Sequence, residues 1–217
     1  MRNIKVNNVS KVINGTTILK DINIIFEEGK IYGIYGHNGS GKTMLFRTLS
    51  GLIKPTSGTI TIFNEELHKD IDFPRSIGVL IENPNFWPNY TGKEVLKTLA
   101  SIKRIIDDEE IIRSLERVGL NPNDSRTVKK YSLGMRQRLG IAQAIMEKPD
   151  IIILDEPTSA LDEDGINLVY KILLEEKERG AIVIISSHNK SDIETLCDCK
   201  IKIQAGKITD MIGGQNL

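Results

Sequence analysis

"KIYGIYGHNGSGKTMLFRTLSG", Lys30–Gly51, decides how this chain folds. An apolar, β-prone run is followed at once by a glycine-rich turn and then by a helical pattern, so strand, tight loop and helix succeed one another without a linker. Inside it "GHNGSGKT", Gly36–Thr43, carries two glycines five residues apart ahead of Lys and Thr. That spacing, between a buried strand and a helix, is the one a phosphate loop requires. The glycines let backbone N–H groups point inward around a β-phosphate, and the helix N-terminus adds its partial positive charge. Lys42 reaches the β- and γ-phosphates, and Thr43 offers its hydroxyl to Mg2+. We therefore place Gly36, His37, Asn38, Gly39, Ser40, Gly41, Lys42, Thr43 and Met44 at a nucleotide, reading His37 as a variable position rather than a catalytic group.

A second strand supplies acid. "IIILDEP", Ile151–Pro157, ends a buried apolar run with adjacent carboxylates. Successive residues of a strand point to opposite sides, so Asp155 can face a metal while Glu156 faces the γ-phosphate from another direction. Asp155 is then a Mg2+ ligand and Glu156 positions or deprotonates water. A third strand, "AIVIISS", leads into His188 in "ISSHN". That places His188 on the carboxyl edge of the sheet, where ligands of open α/β folds collect, and we expect it at the γ-phosphate.

"YSLGMRQRLG", Tyr131–Gly140, raises a question, because it is built like a second anion site. A serine poised to start a helix, a glycine and a basic, glutamine-bearing turn stand together in a chain that already has a phosphate loop.

Around these motifs the pattern is regular. Ile/Val-rich strands are expected at Asn3 to Val9, Thr17 to Phe26, Lys30 to Tyr35, Thr59 to Phe63 and Ile77 to Ile81. The first three precede any helix, which predicts an antiparallel β layer at the N-terminus. From Thr91 to about Gly119 apolar residues recur at helical spacing. The acidic run Asp107 to Glu110 suits the positive end of a helix dipole rather than a metal. A long helix after Ser132 should run to Met146 and stop at Lys148, before Pro149. A helix over Gly165 to Arg179, a short one from Ser191 and a β-hairpin around Ala205-Gly206 close the chain. Strand and helix alternate through this part, which means a parallel sheet.

Composition narrows the partners. Lys plus Arg and Asp plus Glu each total 29 of 217 residues, so no net charge draws the chain onto nucleic acid or an anionic membrane. The longest apolar runs fall far short of the ~20 residues of a membrane helix. The N-terminus lacks the apolar centre of a signal peptide, and the chain is expected to be cytoplasmic. Cys197 and Cys199 alone can build neither a zinc site nor a disulfide framework, and are read as unligated thiols with at least one in the core.

With these elements in this order the chain resembles, over essentially its full length, the ATP-binding subunit of an ABC transporter. The resemblance implies an α/β fold of the ABC ATPase type: a P-loop NTPase core with a mostly parallel sheet, an N-terminal antiparallel β layer and an inserted α-helical subdomain. Residues 1–217 would be one domain, with core and β layer over 1–90 and 146–217 and the helical subdomain over 91–145. "YSLGM" stands where the family's signature, usually Leu-Ser-Gly-Gly-Gln, would be. "SALD", Ser159–Asp162, looks like its D-loop, and His188 matches its switch histidine. In that family two subunits face head to tail, each signature closing on ATP held by the opposite phosphate loop. The second anion site is thereby assigned to a partner's nucleotide. Ser132 offers its hydroxyl and Gly134 its N–H at the helix start, while Leu133 and Met135 replace the family's first glycine and its glutamine.

Two further departures concern the nucleotide. Ile13 in "SKVINGT" occupies the place of an aromatic residue that stacks on adenine. Glu82 in "VLIENPNFWPNYTG" replaces the Q-loop glutamine and brings a full negative charge near Mg2+. Glu82 together with "YSLGMRQRL" resembles the branch that handles bacitracin and lantibiotic peptides. The implied activity is hydrolysis of MgATP between two such subunits, driving a separate membrane permease to which this chain binds peripherally on the cytoplasmic side. A soluble ABC-type ATPase acting on a nucleic-acid or ribosomal partner is the rival; such relatives carry a long coiled coil or a second ATPase half, for which this chain has no room. A phosphate-loop kinase or GTPase is opposed by the signature segment.

Overall fold

The computed structural model describes residues 2–188 and 190–214. In chain order the strands are β1 (Asn3–Ile13), β2 (Thr16–Glu27), β3 (Lys30–Tyr35), β4 (Ser57–Ile62), β5 (Glu65–Glu66), β6 (Ile77–Leu80), β7 (Ile151–Leu154), β8 (Ile182–Ser186), β9 (Cys199–Gln204) and β10 (Lys207–Ile212). The α-helices are α1 (Lys42–Leu49), α2 (Gly92–Lys103), α3 (Asp108–Arg117), α4 (Leu133–Ile145), α5 (Glu163–Glu178) and α6 (Lys190–Leu196). The long helix predicted to Met146 is α4, which has Met146 as its C-cap.

Two sheets form. β2-β1-β4-β5 is the antiparallel layer, and β10-β9-β3-β8-β7-β6 is the central sheet, parallel from β9 to β6. β3, which the sequence grouped with the N-terminal layer, instead pairs parallel with β8 and β9 at the middle of the central sheet. The reason is burial: its four interior residues are all buried, whereas β1 and β2 leave polar residues exposed along their length. A strand apolar on both faces needs cover on both sides, which a parallel sheet between two layers supplies.

The alternation of side chains along the central strands divides the interior in two. Ile151, Ile153, Ile182 and Ile184 face α1 and the β layer, packing with Phe46, Leu45 and Ile24. Ile152, Leu154, Val183 and Ile185 face the helices, packing with Leu139, Ile141 and Leu173. Both cysteines are free and buried; burial pushes the Cys197 thiol up to about 12.

Helices α2, α3 and α4 pack on one another, and α4 also packs on β6 and β7 of the central sheet. Thr91 and Glu94 form a reciprocal capping box at the start of α2, and Asp107 caps α3 by accepting from the Glu110 N–H at 2.8 Å. Each cap satisfies orphan N–H groups and is worth about 1 kcal/mol. The acidic run Asp107 to Glu110 is thus a helix start, and among the described residues no cluster of three or more His, Cys, Asp or Glu forms a metal cage.

Candidate nucleotide site

β3 delivers the phosphate loop to the carboxyl edge of the central sheet. Gly36 has φ 155, and a Cβ there would lie 2.1 Å from the Ile203 carbonyl oxygen at the end of β9, so only glycine allows this approach. The loop is braced from outside: Gly206 N–H donates to the Ser40 carbonyl at 2.8 Å, and Ser40 N–H to the His37 carbonyl at 3.1 Å. The buried Lys42 ammonium curls over the loop to donate to the carbonyls of Gly36 (2.8 Å) and His37 (3.3 Å). Gly41 begins α1 without any side-chain cap, and the buried Ser40 hydroxyl has no hydrogen-bond partner among the described residues. A partnerless hydroxyl, uncapped helix N–H groups and an ammonium converging on one loop fit a chain of phosphates.

The metal and hydrolytic groups gather beside it. Thr43 Oγ1 donates to Asp155 Oδ2 at 2.9 Å, and Ser186 Oγ donates to Asp155 Oδ1 at 2.5 Å. A hydroxyl and a carboxylate from two elements suit Mg2+, which takes few protein ligands and completes its shell with phosphate oxygens and water. Glu82, expected at the same ion, is not brought there: its Oε1 pairs with Arg47 Nη2 at 2.8 Å. The cause is a guanidinium one turn beyond Thr43 on α1, facing a loop that carries the carboxylate in a left-handed conformation, φ 62.

Glu156 and His188 meet face to face. The His188 N–H donates to Glu156 Oε2 at 3.2 Å, and His188 Nε2 lies 3.1 Å from Oε1 but off the line of a hydrogen bond. Burial raises the Glu156 pKa above the usual carboxylate range, partly opposed by His188. A carboxylate in that setting is a better proton acceptor than one in water.

The signature segment lies on the surface. Ser132 caps α4 by accepting from the Met135 N–H at 3.1 Å, and Leu133 is half exposed. The basic, glutamine-bearing turn that read as part of an anion site lies within α4, and its side chains reach backbone carbonyls. Arg136 Nη1 donates to the Tyr131 carbonyl (2.6 Å), Arg138 Nη1 to the Gly119 carbonyl (3.3 Å), and Gln137 Nε2 to the carbonyls of Glu156 (3.0 Å) and Pro157 (3.3 Å). Each of these side chains reaches a backbone carbonyl of its own subunit, while Ser132 is exposed and Gly134 is half-buried, its Cβ direction turned towards the Ala160 carbonyl. In the D-loop segment Ser159 is exposed, while Asp162 caps α5 by accepting from the Gly165 N–H at 3.0 Å. Ile13 ends β1 at the turn into β2 and is 38% exposed.

Sequence reasoning missed Ser186 and Asp192. Ser186 bridges Asp155 to the Glu156 N–H, 2.9 Å away; a serine breaking the apolar run of β8 was the available signal. Asp192, buried in α6, accepts from the hydroxyls of Thr158, Tyr170 and Ser187 and so ties the residue before the D-loop, and α5, to the segment before His188. Nothing local marks it.

The ABC transporter family profile matches residues 19–159. The chain is 55% identical over 205 residues to the ABC transporter ATP-binding protein YybJ of Bacillus subtilis (strain 168), covering 94% of both. It is 42% identical over 211 residues to the bacitracin transport ATP-binding protein BcrA of Bacillus licheniformis, covering 96% of this chain and 69% of BcrA. It is 37% identical over 218 residues to the lantibiotic transport ATP-binding protein SrtF of Streptococcus pyogenes, covering 99% of this chain and 93% of SrtF. Among solved structures, an ATP-binding subunit of an ABC transporter superposes with a TM-score of 0.88 at 25% identity, over 96% of this chain and 89% of that one. A dimeric bacterial ABC transporter cassette gives 0.84 at 25% identity, over 96% and 97%. Sequence profile, relatives and fold agree with the order of motifs around the phosphate loop, and the chain belongs to the family of ABC transporter ATP-binding proteins.

Proposed function

We propose that this chain is the ATP-hydrolysing subunit of an exporter of antimicrobial peptides, held at the cytoplasmic face of the membrane by a separate permease and working as a head-to-tail pair. The observation that carries hydrolysis is the convergence of Thr43, Asp155, Glu156 and His188 on one sheet edge beside the phosphate loop. Support for the peptide class comes from similarity to BcrA and SrtF, whose names give bacitracin and lantibiotic transport. Among the described residues no helix is long and apolar enough to cross a membrane, in keeping with a permease on another chain.

In this reading the phosphate loop and Lys42 hold the β- and γ-phosphates, and Glu156 takes a proton from water as its oxygen bonds to the γ-phosphorus and the bond to ADP breaks. His188 contacts the γ-phosphate. Ser132 and Gly134 of the opposite subunit close the site, alongside its Ser159. Thr43 and Asp155 would hold a Mg2+, which would supply neutralisation of charge on the transferring group. The test is ATP turnover by the purified protein with excess chelator: turnover is expected to vanish and to return on adding Mg2+. Turnover that survives chelation would remove the metal from the reading.

Ile13 should make base selection weak. An aliphatic contact covers the base without the ~1 to 3 kcal/mol of aromatic stacking, so GTP is expected to compete well with ATP. A competition titration with a large preference for ATP would show that another residue stacks on adenine.

Trp87 is the coupling candidate. It is 46% exposed and its ring lies 5.6 Å from that of Tyr90, while Phe86 packs against the core. The loop is tied to the segment preceding Ser132, because Val128 N–H donates to the Tyr90 carbonyl (2.8 Å) and Lys129 N–H to the Pro88 carbonyl (3.0 Å). A half-exposed aromatic on a loop strung between Glu82 and Ser132 suits an anchor for the permease. Trp87→Ala is expected to keep ATPase activity of the isolated protein while weakening co-purification with the permease and peptide resistance in cells. A variant that melts several degrees lower and loses nucleotide binding would place Trp87 in the fold instead.

A further inference from the structure

Glu156 has φ 52, a left-handed conformation that side-chain-bearing residues seldom adopt and that persists only where surrounding groups over-determine it. Its amide is held on one side, where Glu156 N–H donates to Ser186 Oγ at 2.9 Å. Its carbonyl is held on the other, by Gln137 Nε2 at 3.0 Å, and the same amide group reaches the Pro157 carbonyl at 3.3 Å. Gln137 is 4% exposed and comes from α4, an element outside the central sheet. The helix touches this loop a second time: a Cβ on Gly134 would lie 3.0 Å from the Ala160 carbonyl oxygen, with Ala160 itself at φ 62.

We infer that Gln137 is a positioning residue for Glu156, fixing the backbone conformation that aims its carboxylate. The amide is the right group for this, since one NH2 supplies two donors to two adjacent carbonyls, joining the Ser159 N–H that donates to the Glu156 carbonyl at 3.1 Å. Because Gln137 stands one turn beyond Ser132 and Gly134, one helix meets the partner's nucleotide at its start and holds its own subunit's base a turn later. The two sites of the pair are thereby linked through α4. The inference rests on Glu156 being the hydrolytic base, as proposed above.

Gln137→Met keeps length and removes the donors; Gln137→Glu keeps shape and replaces donors with acceptors. Both are expected to lower kcat by about 10- to 100-fold, the scale of a misplacement near 1 Å, with KM and the affinity of the isolated subunit for ATP unchanged. In a Glu156→Gln background, where no base remains to be positioned, adding Gln137→Met should leave both the residual turnover and the ATP dependence of dimer formation as they were. A wild-type kcat in Gln137→Met overturns the inference. So does a further loss of turnover in the Glu156→Gln background, or loss of folding or nucleotide binding by both variants, which would make Gln137 a packing residue. If instead Glu156→Gln itself turns over ATP normally, the assignment of the base fails, and that outcome is distinct from an inactive Glu156→Gln beside a fully active Gln137→Met.

Discussion

Glu156→Gln is expected to cut ATP turnover by about 10²- to 10⁴-fold, the contribution of a positioned general base, while ATP binding survives. The amide keeps the size of the side chain and can still hydrogen-bond water, but it cannot take the proton. The variant should accumulate as an ATP-held dimer, visible by light scattering. The environment of Glu156 adds a pH dependence. Burial raises its pKa, so in the native protein the acid limb of kcat/KM, which reports the free enzyme, should lie above that of an ordinary glutamate. The sign for stability follows from linkage: a carboxyl whose folded pKa exceeds its unfolded value binds its proton more tightly in the fold, and stability falls as pH rises from the unfolded to the folded value. Glu156→Gln lacks that charge. It should therefore be more resistant to heat than the native protein above the folded pKa, with the advantage vanishing below the ordinary glutamate pKa. Unchanged turnover would take Glu156 out of the chemistry.

Ser132→Ala is expected to lower turnover by about 10²-fold, as for loss of one donor to transition-state charge, with nucleotide affinity of the isolated subunit retained. Ser132 is exposed and, within its own subunit, only caps α4 among the contacts described, a role worth about 1 kcal/mol. Gly134→Asp should be more severe, because its side chain must displace the Ala160 carbonyl, 3.0 Å from the Cβ position, and it sets a negative charge where a γ-phosphate would approach. Complementation separates the two subunits' roles. A Lys42 variant mixed with a Gly134 variant leaves one composite site intact and the other doubly broken, so two inactive proteins should recover part of the turnover. Ser132→Ala that binds ATP poorly as a monomer, or a mixture that stays inactive, would contradict a site shared between subunits.

The sequence by itself determined the features whose physics is local. Gly36, Gly41, Lys42 and Thr43 announce a phosphate loop because spacing along one turn is enough to fix which N–H groups face inward, and Thr43 and Asp155 do come within 2.9 Å. The apolar runs of β7 and β8 end in Asp155-Glu156 and Ser186-Ser187, so a parallel sheet places those ends on one edge. Ser132 reads as a helix start because a cap is a three-residue event. What the tertiary structure decided depends on partners far along the chain. The membership of β3 in the central sheet was set by cover on both faces, which arrives from other elements. Glu82 met Arg47, 35 residues away, and Gln137 met the Glu156 carbonyl, 19 residues away, where the turn around it had suggested an anion. A donor's type is written in the sequence, but the acceptor it finds is set by which elements the fold presses together, because a buried donor must find its partner among the groups packed against it.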